Sequence, residues 1–219
     1  MRPDQRRLAP ADTALPAVDQ RVLDAATAVL NEWGWKGLNL ERVADRAGLS
    51  RVTLWRQGVS KERLVDGLLL RLTADYRDSM FTVLAAPGSG AARLSQALEA
   101  LCEVADRQID LLLASDVAFH EAQERADPRP SFIEPLVRLL HDGVADGTLR
   151  PPPTSFEDFA NTIFNTVCWS YVHLRGRHGW PPKQARALIL DLVLNGLSVE
   201  ATASKRPSAG ERPPRQKAT

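Results

Sequence analysis

The sequence predicts an all-α protein: an N-terminal three-helix helix-turn-helix domain followed by a larger C-terminal domain of helices. Three observations predict it. Apolar residues recur at helical spacing over nearly the whole chain. Start and stop signals pair off closely, Asn39 with Gly48 and Ser50 with Gly58. Between them sits RAGLSRVTLWRQGVSK, residues 46–61, which holds Arg46, Arg51, Arg56 and Lys61 and no acidic residue in a chain of net charge +1.

Residues 1–15 mix Pro, Arg and Asp without periodicity and read as a flexible arm. Val18, Val22, Ala26, Val29 and Trp33 then mark an amphipathic helix that Gly34 should stop. Asn39 is a good N-cap for a short second helix, LERVADRA, closed by Gly48. Ser50 caps a third, RVTLWRQ, and Gly58 ends it; with Gly58 left-handed, Val59 falls where it can touch Leu54. Ser60 caps a longer helix striped by Leu64, Leu68 and Leu72 toward Met80.

Two short helices joined by a tight turn at Gly48 make a helix-turn-helix, with Ala44 and Ala47 small enough for close approach and Val43 and Leu49 as its core. The third helix turns Arg51, Val52 and Trp55 outward, with Arg56 and Gln57 at its end. A B-DNA major groove admits one α-helix and is flanked by phosphates that basic side chains neutralise. The basic run therefore suits a face turned toward duplex DNA.

Charge elsewhere agrees. Residues 1–80 hold 13 basic and 11 acidic side chains, residues 81–204 hold 10 and 15, and residues 205–219 hold 5 and 1. A polyanion would meet the N-terminal basic spot and not the acidic body.

At these residues the sequence resembles a known family. The stretch LNEWGWKGLNLERVADRAGLSRVTLWRQGVSKERLVDGLL is similar to the DNA-binding domain of TetR-family transcriptional regulators: Gly34, the VADRAGLS turn, the TLW of the third helix and SKERL match, over roughly residues 18–75. Where the family usually carries Tyr and Phe three residues apart, this chain has Trp55 and Gly58. The resemblance implies that Arg51 and Val52 reach base edges. It implies that Thr53, Trp55 and Lys61 bind phosphates, with Arg46, Gln57 and Arg56 near enough to join them.

The body reads as helices over about 91–106, 108–125, 131–146, 155–177 and 182–203, with DGTLRPPP as a loop. The last two are apolar on more than one face, which calls for burial on nearly all sides. The resemblance supplies the covering surface, a four-helix interface with a second copy. It also implies an effector pocket among the body helices, for which Cys102, Phe119, His120, Phe164 and Trp169 are candidates; plain core packing explains each of them at least as well. The expected division is 1–15 arm, 16–62 DNA-binding domain, 63–203 regulatory and dimerisation domain and 204–219 disordered tail.

Other functions fit less well. The four histidines show no metal-ligand spacing, and no phosphate loop or nucleophile motif appears, so neither a metal, a cofactor nor a catalytic residue is expected. A helical enzyme built on His120, Glu121 and Glu124 is the first rival, and a helical interaction protein that ignores DNA is the second. Cys102 and Cys168 lie far apart in apolar patterns, and no membrane-length apolar run or signal-peptide core appears, which points to the cytoplasm. The expected partners are double-stranded DNA, a second copy and a small-molecule effector.

Overall fold

The computed structural model describes residues 17–114 and 131–197, and within them every regular element is a helix. The expected arm and tail, and Phe119 and His120, lie outside the described residues. These group into two compact units, one of residues 17–74 with 110–114 and one of residues 75–109 with 131–197.

The first unit contains α1 (Gln20–Gly37), α2 (Leu40–Ala47), α3 (Arg51–Arg56) and the first part of α4 (Lys61–Ala85). Val22, Ala26, Val29 and Leu30 of α1 meet Val43, Ala44 and Ala47 of α2, Leu54 of α3 and Leu64 and Leu68 of α4 in one buried cluster. Leu111, from the short α6 (Ile109–Ala114), joins it.

The expected stop at Gly34 is a break within α1: Gly34 takes φ 64° and ψ −175°, and a last turn follows to Gly37. A side chain at that φ would be strained, and glycine is not. The break redirects the chain beyond it, and the apolar stripe does not end on Trp33 as its spacing suggests. Trp33 is 53% exposed, and Trp35 packs against the core instead.

The second unit contains the rest of α4, α5 (Gly90–Arg107), α7 (Glu134–Ala145), α8 (Phe156–Gly176) and α9 (Pro182–Leu197). Here α5 packs on α7, α8 and α9, while α8 also packs on α7 and α9. Helices α5 and α7 meet at Gly90 and Gly143, so closely that a Cβ on Gly90 would lie 2.1 Å from the Gly143 nitrogen. Charged ties reinforce the packing: Arg93 to Asp142 at 2.8 Å, Arg175 to Asp106 at 2.7 Å and Arg186 to Glu103 at 2.7 Å.

Candidate nucleic-acid interface

Local chemistry builds the α2–α3 pair. The Asn39 side chain accepts from the Arg42 amide at 3.0 Å, and Ser50 Oγ accepts from the Thr53 amide at 3.0 Å. At their far ends the Leu49 amide donates to the Ala44 carbonyl and the Val59 amide to the Leu54 carbonyl, each at 2.9 Å. These long-reaching bonds are Schellman closures, and the second needs Gly58 at φ 67°. A helix of six residues is too short to stand alone, so such caps and the buried Leu54 hold α3 in place.

At about 100° per residue, Arg51, Trp55, Val52 and Arg56 fall within roughly 140° of arc. That arc is the outer face. Trp55 is 75% exposed and Val52 55%, while Leu54 is fully buried. Arg51, Arg56 and Gln57 are exposed too. Trp55 is thus no core residue, and it lies between two arginines on the surface α3 presents.

The remaining predicted contacts are less free. Thr53 is half-buried, its hydroxyl 2.8 Å from Ser50 Oγ. Arg46 makes a salt bridge with Glu32 of α1, so a phosphate would compete with that carboxylate. Lys61 stands at the first position of α4 with its Nζ 4.5 Å above the Trp35 ring.

Two supporting residues escape sequence reading. Arg63, which looks like an ordinary surface residue, donates to the Gly58 carbonyl at 2.9 Å and to the Gln57 carbonyl at 3.4 Å, tying the end of α3 to α4. Arg42 lies over the Trp33 ring at 4.5 Å and donates to the Gly37 carbonyl at 2.9 Å. Only the fold brings these partners together, although a long cation five residues from a helix's last carbonyls is a usable hint.

This geometry is shared with known proteins. Residues 22–68 match the family model described as "Bacterial regulatory proteins, tetR family". Over 198 residues the chain is 26% identical to the HTH-type transcriptional repressor KstR2 of Mycobacterium tuberculosis, covering 82% of this chain and 92% of that protein. Residues 22–68 thus carry a TetR-family N-terminal domain. The α2–α3 pair, Leu40–Arg56, lies wholly within that match. Solved TetR-type structures share the fold. The ketosteroid transcriptional regulator KstR2 of M. tuberculosis superposes with a TM-score of 0.58 at 24% identity, covering 84% of this chain and 98% of that one. FadR from Bacillus subtilis, in complex with stearoyl-CoA, gives 0.65 at 15% identity, covering 80% and 97%.

The second unit separates the residues the sequence grouped as pocket candidates. Phe164 is half-buried in an aromatic cluster, 6.3 Å from Tyr76 and 5.8 Å from Phe132 between ring centroids. The Tyr76 hydroxyl donates to the Phe132 carbonyl at 2.6 Å. Cys102 is fully buried in α5, and burial pushes its thiol up to about 12. Cys168 is likewise pushed up to about 12 by burial. Trp169 lies elsewhere. Five residues from Phe164, it points about 140° away around α8. It lines a groove of about 660 Å³ with Thr166, His173, Trp180, Leu188 and Leu192. Among the described residues no group of three or more His, Cys, Asp or Glu is placed to hold a metal ion, and no helix is long and apolar enough to cross a membrane.

Proposed function

We propose that this regulator represses transcription from the cytoplasm as a homodimer, placing α3 of each copy in the major groove of a palindromic operator. The observation that carries this reading is the outer face of α3, where Arg51, Val52, Trp55 and Arg56 are all exposed on a helix held at both ends. Arg51 and Val52, in the first turn, read base edges. Thr53, Trp55 and Lys61 bind phosphates, and Arg46, Arg56 and Gln57 support them. Residues 16–62 act as the DNA-binding domain and residues 63–203 as the regulatory and dimerisation domain.

The second copy covers the groove of α8 and α9. Leu188 is 53% and Leu192 76% exposed in the single chain, beside Trp169 and Ile189. Such neighbouring apolar surface marks an interaction site. A small-molecule effector releases the operator from within the second unit; of the pocket candidates among the described residues, Cys102, Phe164 and Trp169, we assign Trp169 to the groove and leave Phe164 and Cys102 for the effector. That FadR was solved with stearoyl-CoA supports an effector site in this architecture.

Footprinting on operator DNA selected from random duplexes tests this reading. Two half-sites should be protected, about one helical turn or 34–36 Å apart or a multiple of it. Full affinity for one isolated half-site would count against the dimeric docking.

A further inference from the structure

The side chain beneath Lys61 has a role of its own. Lysine at the first position of a helix opposes the positive end of the helix dipole, so the position is unfavourable unless something offsets it. Trp35 does so. Its ring lies 4.5 Å below Nζ, the distance of a cation–π contact, and Trp gives the strongest such face. Trp35 reaches this place because Gly34 breaks α1, and the ring is partly buried against the core of the first unit. Its sister pair behaves differently: Arg42, over Trp33, spends a guanidinium N–H on the Gly37 carbonyl. A π-face attracts the ammonium without consuming a lone-pair acceptor, so Lys61 keeps its donors for an anion on the side away from the ring.

We infer that Trp35 is a positioning residue for DNA binding: without touching the duplex, it holds the Lys61 ammonium where a backbone phosphate is met. This rests on the reading of Lys61 as a phosphate contact. Held in advance, the long side chain loses less rotamer freedom when the phosphate arrives, which strengthens binding without any added contact. A cation–π contact at a half-exposed site corresponds to roughly a two- to fivefold change in affinity.

The test is a double-mutant cycle on the full chain, measured by fluorescence anisotropy with a selected operator duplex and with random duplex. The variants are Lys61→Ala, Trp35→Leu, Trp35→Phe and each Trp35 change combined with Lys61→Ala. Trp35→Leu should weaken both duplexes about two- to fivefold when Lys61 is present and hardly at all when it is alanine. Trp35→Phe, which keeps an aromatic face, should recover most of that loss. If Trp35→Leu does not fold, the smaller loss expected for Trp35→Phe, and its disappearance beside Lys61→Ala, makes the same comparison. Equal losses in both backgrounds would make Trp35 a merely structural residue and overturn the inference. Should Lys61→Ala itself leave binding unchanged, the phosphate contact is wrong, and the positioning role goes with it.

Discussion

Arg51 is where one side chain decides the most. Ser50 caps α3, so Arg51 is its first residue and is exposed on the outer arc. A bidentate arginine–guanine contact discriminates by roughly 1–3 kcal/mol. Arg51→Ala should therefore weaken operator binding about ten- to a hundredfold. Random duplex should lose much less, because phosphate neutralisation is spread over many side chains. Operators changed at each half-site base pair, titrated with both proteins, check this; a variant that keeps the full wild-type preference at every position makes Arg51 a backbone contact. The buried cysteines show the opposite extreme of exposure. Thiols pushed up to about 12 hold almost no thiolate at neutral pH, so Cys102 and Cys168 should ignore a thiol reagent in the native protein. Rapid labelling without denaturant would show that the second unit opens readily.

Among the elements, the α5–α7 contact offers a titratable test. Asp142 of α7 accepts from Arg93 of α5 at 2.8 Å and from Arg138 at 3.2 Å. Burial by itself would raise this carboxyl, but the two arginines, by hydrogen bond and by charge, outweigh it and hold the group below the usual carboxylate range. A carboxyl held low binds protons less readily folded than unfolded. Its stabilisation is thus complete above about pH 4 and is lost as the pH falls through the lowered folded value. Asp142→Asn should cost roughly 1–3 kcal/mol at pH 7, the worth of hydrogen bonds to a charged group, and much less near pH 2. Thermal melts at the two pH values measure this, and an equal loss at both would show that the charge contributes nothing. The same scale shows how far periodicity carries. The α4 stripe through Leu64, Leu68 and Leu72 to Met80 is buried as its spacing predicts. Trp33 is not: it precedes the break at Gly34 and stays exposed, while Trp35 beyond the break packs against the core.

For the whole molecule, the question is what covers α8 and α9. Ala160, Ile163, Val167 and Tyr171 form the inner side of α8, buried with Ala185 and Ile189 of α9. That satisfies one apolar face of each helix and leaves Leu188, Leu192 and half-buried Trp169 on the other. Leu192→Glu would place a charge in the proposed interface, where burial without a partner is costly. Sedimentation velocity should find the variant monomeric, and operator affinity should collapse while the monomer keeps its helical content by circular dichroism. A variant that stays dimeric would move the interface off this groove.

What the sequence determined by itself is what depends on neighbours in the chain. Caps at Asn39 and Ser50, closures at Gly48 and Gly58 and the 3.6-residue stripe act within a turn or two, so the DNA-binding motif and its outward residues could be read directly. The all-α class followed from the same signals repeated along the chain. Tertiary structure alone decided which distant side chains meet. It set Lys61 on Trp35, Arg46 on Glu32 and Arg63 on the end of α3. It also parted Trp169 from Phe164, both of them candidates for the pocket that the resemblance implied. Composition says that a side chain wants burial or a counter-charge, but not which of several possible partners supplies it. That choice belongs to the angles at which helices cross and to single breaks such as Gly34, where a local rotation moves everything beyond it.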